Sequence, residues 1–263
     1  MSKLSIAIPV FNQLSETKSV WGLHVENLGD KENSPELVVI DNGSTDGTRK
    51  FIEEFIFPHF KEHKYVYNEE NIGVVKSMNQ CIKESTGDVI AILHNDLFVY
   101  EDNWDERVLQ LFESNDKIGL AGFFGARGTF TNGGRMDAMS NMIEAEYHGK
   151  RETGEIRVGA FDGLSLIGRR SMFLSVGGFD EGYTYHHFYD RDISLLSHFA
   201  DWENWFIGVY CHHVSGITAN RPDYQTWIDK QMQTSGFTGD KASYDASEKY
   251  FLEKWGSKLP VYI

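Results

Sequence analysis

A doubly wound α/β fold with a mainly parallel sheet is what this sequence predicts, on three observations. Strand-like and helix-like segments alternate through residues 1–120, the order that builds βαβ units. The runs ELVVI (36–40) and VIAIL (89–93) are almost wholly apolar, as strands buried on both faces of a parallel sheet must be. Each run is followed by an aspartate, Asp41 directly and Asp96 within His94-Asn95-Asp96, at the strand end where open α/β sheets bind ligands.

KLSIAIPV (3–10) reads as the first strand, and residues 14–28, with Val20, Leu23, His24 and Leu28, as the first helix. After ELVVI the chain breaks into DNGSTDG. Asn42-Gly43 would suit a type I′ hairpin, but TRKFIEEFIF places Phe51, Ile52, Phe55 and Ile56 at helical spacing, so a helix over 48–57 is expected. Thr45 or Asp46 is its N-cap. Asp41 then stands at the mouth of a strand-to-helix loop, either as an Asx-turn aspartate or as a site residue. KYVYN (64–68) is a short strand; Val75, Met78, Cys81 and Ile82 share one face of the next helix, which ends at Gly87 as a C′ residue.

Asn103-x-x-Glu106 has the form of a capping box ahead of Trp104, Val108, Leu111 and Phe112, giving a helix over 103–114. IGLAGFFG (118–125) is a strand. Residues 125–160 are glycine-rich, polar and weakly periodic, which predicts a long active loop or a hairpin with flexible ends, mobile until ligand binds. LSLIGRRSMFLSVGGFDEGY (164–183) is a strand leading into a short helix where Arg169 and Arg170 pack or meet an acid. YDRDISLLSHFADW (189–202) is a helix with Ile193, Leu196, Phe199 and Ala200 inward. NWFIGVYCHHVSG (204–216) is a last strand running into a histidine pair, and the tail, rich in Trp, Tyr and Lys, reads as C-terminal helices.

Composition narrows the partners. The 263 residues carry a formal charge of −14, so no basic footprint invites a phosphate backbone, and nucleic acid is the least favoured partner. Cys81 and Cys211 are too few and too far apart for a disulfide framework or a Cys-x-x-Cys site, which points to a reducing compartment. MSKLSIAIPVF has a short apolar run without a cleavage-site pattern, and no segment approaches 18 consecutive apolar residues. The expected location is the cytoplasm, with membrane contact at most peripheral. No Gly-x-Gly-x-x-Gly fingerprint follows the first strand and no Gly-Lys-Ser/Thr loop occurs, so a diphosphate would need another anchor. A divalent cation on a carboxylate is one.

SIAIPVFNQ, LVVIDNGSTDGT, NIGVVKSMNQCI with STGDVIAILHNDL, and LIGRRSMFLSVGGFDEGY followed by YDRDISLL resemble, in order, the motifs of the family 2 glycosyltransferases. The resemblance spans residues 4–218 and implies the GT-A fold: a Rossmann-like, mainly parallel sheet flanked by helices, with a smaller antiparallel acceptor-side region and C-terminal helices. It implies one catalytic domain over 1–220, with a nucleotide-sugar half (1–120) and an acceptor-side half (121–220), and a helical extension over 221–263.

Roles follow residue by residue from that resemblance. Pro9, Phe11 and Asn12 would shape the nucleotide site, and Asp41 would accept a hydrogen bond from the base ring N–H, which suits an acceptor-only carboxylate and puts a UDP-sugar ahead of dTDP- or GDP-sugars. Asn71, Gly73 and Lys76 match the segment near the nucleotide. His94-Asn95-Asp96 falls on the family's Asp-x-Asp position but keeps one carboxylate: Asp96 would hold Mn²⁺ or Mg²⁺ and Asn95 would orient ribose or water. Adjacent strand residues face opposite ways, so one of His212 and His213 would complete the metal shell; His213 is preferred for its spacing to Thr218, with His212 and His94 as alternates. Asp190 would be the general base, with Tyr189 where the family usually has glutamate, and Asp192 a cap or ion-pair residue. Asp180 and Glu181 resemble the acceptor-side turn. His186 and His187 are loop residues with no such role.

The function implied is inverting transfer of a sugar from a nucleoside diphosphate to a hydroxyl of a glycan, a lipid-linked saccharide or another acceptor. A nucleotidyltransferase would want a basic, glycine-rich loop after the first strand, which PVFNQLSET lacks. A noncatalytic nucleotide-sugar binder is the other alternative, kept open by the altered His-Asn-Asp.

Overall fold

The computed structural model describes residues 2–29, 34–144, 149–183, 187–214 and 240–263. Fifteen strands are named in chain order: β1 (Leu4–Val10), β2 (Glu36–Asp41), β3 (His63–Tyr67), β4 (Val89–Leu93), β5 (Leu97–Val99), β6 (Ile118–Gly122), β7 (Phe124–Thr129), β8 (Arg135–Ser140), β9 (Lys150–Arg151), β10 (Glu155–Arg157), β11 (Ala160–Phe161), β12 (Ser165–Arg169), β13 (Glu203–Ile207), β14 (Cys211–His213) and β15 (Val261–Tyr262). The helices are α1 (Leu14–Glu26), α2 (Thr48–Phe51), α3 (Val74–Glu84), α4 (Trp104–Ser114), α5 (Arg170–Val176), α6 (Tyr189–Phe199) and α7 (Asp240–Trp255).

Eight strands form the central sheet in the order β10-β13-β6-β12-β4-β1-β2-β3. The pairs β4–β1, β1–β2, β2–β3 and β13–β6 are parallel, while β12 and β10 run antiparallel to their neighbours. Alternation along each strand divides the core. Ile6, Ile8 and Val39 face Trp21 of α1 and Phe112 of α4. Ala7, Val38 and Ile40 face Met78 of α3, Phe173 of α5, Ile193 of α6, and Phe251 and Trp255 of α7. Helices therefore cover both faces, as near-continuous apolar strands require.

Several local expectations are corrected. The helix expected over 48–57 keeps α geometry only to Phe51, then widens into a π turn (Ile52–Ile56) and tightens into a 3₁₀ turn (Phe57–His59). Pro58 has no N–H for an i−4 bond and its ring crowds that carbonyl. Asn103 makes no capping bond from its side chain; it sits at φ 57° with its amide donating to the Asn27 carbonyl at 2.9 Å. Gly87 is no left-handed cap but a close approach: its amide donates to Ser5 Oγ at 2.8 Å, and an added Cβ would lie 2.7 Å from the Ser5 backbone nitrogen. In α6, Phe199 and Ala200 end up outside, Phe199 stacking on Trp255 of α7 at 5.4 Å.

Of the two forms expected for 125–160, a long loop or a hairpin, the structure has the hairpin. β7 and β8 form an antiparallel hairpin, extended by β9 beside β8 and by β11 and β15 beside β7; residues 145–148 lie outside the described ones. The expected single strand over 204–216 is two. β13 stays in the central sheet, and after Gly208 the chain leaves it so that β14 pairs with β5. Of the C-terminal region, 240–263 packs against the second core face through Phe251, Trp255 and Val261; 221–239, His186 and Thr218 lie outside the described residues.

Candidate active site

The carboxyl ends of β1, β2 and β4 open on one edge of the sheet, and short-range bonds build the first part of the rim. Asp41, fully buried at the end of β2, accepts from the Ser44 amide at 2.7 Å on Oδ1 and from the Tyr65 hydroxyl on Oδ2. Both readings of this aspartate thus remain compatible with one carboxylate: it makes the loop bond and keeps lone pairs for a ligand. Burial, the hydrogen bond to Asp41 and the Asp41 charge push the Tyr65 phenol above its ordinary range, so Tyr65 is a fixed donor. Asn12, with φ 55°, gives its amide to Ser44 Oγ at 2.7 Å and accepts from the Thr45 amide at 2.8 Å. Asp46 accepts from the Thr48 amide (3.1 Å) and hydroxyl (2.6 Å) with one oxygen and from the Leu14 amide (2.9 Å) with the other. A single side chain therefore serves the starts of α1 and α2.

Pro9 and Phe11 flank this loop, half-buried. Asn71 accepts from the Gly73 amide at 2.9 Å, and Gly73, at φ 86°, precedes α3; only glycine adopts that backbone without strain. Lys76 is exposed on the first turn of α3.

The second part is a cluster of two imidazoles and a carboxylate. His94 is pinned by its amide to the Leu164 carbonyl at 3.0 Å, and the Leu97 amide turns back to the His94 carbonyl at 3.3 Å. The β5–β14 register sets His213 opposite Leu97 and His212 opposite Phe98. His213 Nε2 consequently lies 3.2 Å from Asp96 Oδ1 and 3.3 Å from His94 Nδ1, and His94 Nδ1 lies 3.8 Å from Asp96 Oδ1. His212 faces the other way, stacked on Phe98 and 2.9 Å from Glu144 Oε1. One ligand atom from each of His94, Asp96 and His213 falls within 4.8 Å of the others, a set that can hold a divalent cation of the first transition row. Burial works to raise the Asp96 carboxyl, but the hydrogen bond and charge of His213 and the charge of His94 outweigh it and hold the group below the usual carboxylate range. Burial pushes His94 down against the pull of Asp96, whereas for His213 the bond to Asp96 overcomes burial and raises it. Asn95, 9% exposed, has its Nδ2 buried without a partner among the described residues, a donor waiting for an acceptor.

The third part was not visible in the motifs. Arg135, first residue of β8, donates from Nε to the Phe161 carbonyl at 2.9 Å, and its Nη2 meets Asp162 Oδ2 at 3.0 Å and Asp190 Oδ2. Asp190, buried in the first turn of α6, also accepts the Arg191 amide at 2.8 Å on Oδ1. Asp162 follows β11 and precedes Gly163, where a Cβ would run into the Tyr189 hydroxyl. Burial opposes ionisation of Asp162, but Arg135, His213 and His94 together hold its carboxyl below the usual range. Asp162 touches Arg135 directly, and its Oδ1 lies 3.3 Å from the amide of Leu164, the residue whose carbonyl holds His94. Its only sequence signal is an acid just ahead of LSLIG; Arg135 has none.

Asp180, Glu181 and Asp192 belong to a different network. Asp180 Oδ2 accepts from Lys254 Nζ at 2.7 Å and Tyr250 Oη at 3.1 Å, and Glu181 accepts from Asn79 at 2.9 Å. Asp192, 1% exposed, accepts from Trp255 Nε1 (2.6 Å), Tyr183 Oη (2.9 Å) and Lys254 Nζ (2.8 Å), an ion-pair role as its place in the sequence suggested. Asp180 fastens the turn after α5 to α7, Asp192 fastens α6 to it, and Glu181 ties that turn to α3. Arg169 packs through backbone carbonyls, with Nε 2.9 Å from the Ile118 oxygen.

A mixed, mainly parallel sheet with acids and imidazoles along one edge is the frame, and comparison places the chain in a known family. The profile of "Glycosyl transferase family 2" matches residues 5–174; the chain belongs to that family. Among characterised and named proteins it is similar to Glycosyltransferase AglE of Haloferax volcanii, 26% identical over 180 residues, covering 67% of this chain and 55% of that protein. It is also similar to Putative glycosyltransferase EpsE of Bacillus subtilis, 34% identical over 90 residues, 34% of this chain and 31% of that one. The chain thus spans about half or less of these relatives' length. In fold it resembles GalNAc-T7 (TM-score 0.65, 17% identity, 97% of this chain and 56% of that one) and the mannosyltransferase PcManGT from Pyrobaculum calidifontis (TM-score 0.60, 14% identity, 97% and 71%). The fold is GT-A. No helix among the described residues is long and apolar enough to cross a membrane.

Proposed function

We propose that this chain transfers a sugar from a nucleoside diphosphate to an acceptor hydroxyl, with inversion at the anomeric carbon. The observation that carries the reading is a carboxylate–imidazole cluster (His94, Asp96, His213) at the carboxyl edge of the sheet, with a second acid group, Asp162 and Asp190 on Arg135, reaching His94 through the Leu164 backbone. Similar folds support the donor class, since the GalNAc-T7 structure is with UDP, GalNAc and Mn²⁺ and that of PcManGT with GDP-Man and Mn²⁺.

His94, Asp96 and His213 would hold a divalent cation, which supplies charge to the leaving diphosphate. Two imidazoles and one oxygen suit Mn²⁺ better than Mg²⁺, which prefers oxygen ligands. Asp41 accepts the base ring N–H, with Tyr65 and Ser44 keeping the carboxylate in place, and a uracil or thymine base fits such an acceptor. Asn12, Pro9 and Phe11 shape the nucleotide side, Asn71 and Gly73 start α3 beside it, and Asn95 Nδ2 donates to the donor. Asp190 takes the proton of the acceptor hydroxyl, so its Oδ2 must leave Arg135 or share it with the acceptor. Direct attack needs no enzyme nucleophile, because alignment of the two reactants supplies much of the barrier lowering. Acceptors are a glycan or a lipid-linked saccharide, and Asp180 and Glu181 stand on the turn that would meet them.

The test is calorimetric titration with UDP, GDP and dTDP and their hexose conjugates, with Mn²⁺ and with EDTA, followed by donor hydrolysis and NMR of the anomer released. Mn²⁺-dependent binding of one nucleotide and release of the inverted sugar are expected. Absence of nucleotide binding in Mn²⁺ would end the proposal; binding without turnover on any acceptor would leave the noncatalytic reading in its place.

A further inference from the structure

Transfer with inversion requires the sugar to lie between the diphosphate and the base, and the residues that bridge that gap are Asp162 and Arg135. We propose that these two side chains form the subsite that reads the hydroxyls of the transferred sugar, an inference that rests on the glycosyltransferase reading above. On the cluster side the Asp162 carboxylate lies against Leu164, whose amide is 3.3 Å from Asp162 Oδ1 and whose carbonyl accepts the His94 amide at 3.0 Å. On the base side, Arg135 Nη2 touches both Asp162 Oδ2 (3.0 Å) and Asp190 Oδ2.

Their bonding capacity is unspent. The Asp162 side chain is 35% exposed against 10% for that of Asp190. Its Oδ1 is approached only by the Leu164 amide at 3.3 Å, a long contact for such a bond, so at least two acceptor positions remain. Arg135 uses Nε on the Phe161 carbonyl and Nη2 on the two acids, which leaves Nη1 without a bond among the described residues. Its guanidinium is held over the Phe124 ring at 5.4 Å, so it cannot swing freely. A fixed carboxylate beside a fixed guanidinium offers acceptor and donor side by side, the pattern that a pair of neighbouring sugar hydroxyls satisfies.

The readout is the difference between a nucleotide and its sugar conjugate. With Mn²⁺ present, Asp162→Asn should bind the free nucleoside diphosphate as tightly as wild type but the matching nucleotide-hexose about 10–100-fold more weakly, the range for a lost charged hydrogen bond. Arg135→Lys, which keeps the charge but loses the fork, should show the same selective loss. Donors lacking one hydroxyl supply a second measurement that needs no stability argument: the deoxy donor missing the contacted hydroxyl should bind wild type and Asp162→Asn equally. Wild-type affinity of both variants for every nucleotide-hexose overturns the inference while leaving the enzyme reading intact. Parallel weakening of free diphosphate and conjugate overturns it too, by assigning Asp162 to the metal cluster. Failure of wild-type protein to bind any diphosphate with Mn²⁺ brings down the parent reading and this one together.

Discussion

The two sides of the rim are held by opposite strategies. On the β1–β4 side, side chains bond backbone two or three residues away, Asp41 to Ser44, Asp46 to Thr48 and Asn71 to Gly73, and adjacent loops interlock through Asn12. Beyond β6, charges from distant segments face each other: Arg135 and Asp190 are 55 residues apart, Lys254 and Asp192 are 62. Such local bonds stiffen a loop with each contributing about 1–3 kcal/mol, the larger values for the carboxylate acceptors Asp41 and Asp46. A chain of buried charges is different, since each member stands uncompensated when its partner is removed.

The largest effect should come from the base itself. Asp190→Asn is expected to lower transfer by about 10²–10⁴-fold with donor affinity near wild type; near-normal transfer would place the base elsewhere and detach α6 from the chemistry. Next, Asp96→Asn should reduce Mn²⁺-dependent donor hydrolysis by about 10²–10³-fold, and His94→Asp, which restores an Asp-x-Asp pattern, should raise activity with Mg²⁺ relative to Mn²⁺. An unchanged metal preference in that variant would remove His94 from the ligand set.

Stability separates the two sides further. Lys254→Met strips the cation from Asp192, which keeps only Tyr183 and Trp255 as donors, and urea denaturation should report a loss of about 3 kcal/mol. Asp46→Ala removes the bonds that start α1 and α2 yet should cost about 1 kcal/mol in the same assay. If the two losses were equal, the contrast between local bonds and a charge lattice would not hold. Limited proteolysis should leave the β7–β8 hairpin uncut with or without nucleotide, since its backbone is paired on both strands; ligand-dependent protection there would restore the lid expected for 125–160.

Much of the first half was legible because its signals are local. The stripe Val75, Met78, Cys81 and Ile82 in α3 is buried as its spacing predicted, and the acids after β2 and β4 fall on one sheet edge because parallel strands must all point that way. Where the reading slipped, a longer-range contact decided: Asn103 follows the Asn27 carbonyl instead of its own cap, and Gly87 is glycine for the sake of Ser5. For 125–160 the sequence left loop and hairpin open, because β8, β9 and β10 are short and partly exposed and β7 finds a partner as distant as β15.

By itself, the sequence determined the order of strands and helices as far as β4, the strand-end positions of Asp41 and Asp96 and the family, since apolar period and turn chemistry act over a few residues. Only the tertiary structure decided that His213 rather than His212 meets Asp96, that His94 joins them, and that Arg135 stands between Asp162 and Asp190. The physical reason is register: a one-residue shift in the pairing of β14 with β5 would exchange the two histidines' faces, and no local propensity encodes which carbonyl across a sheet a strand will find.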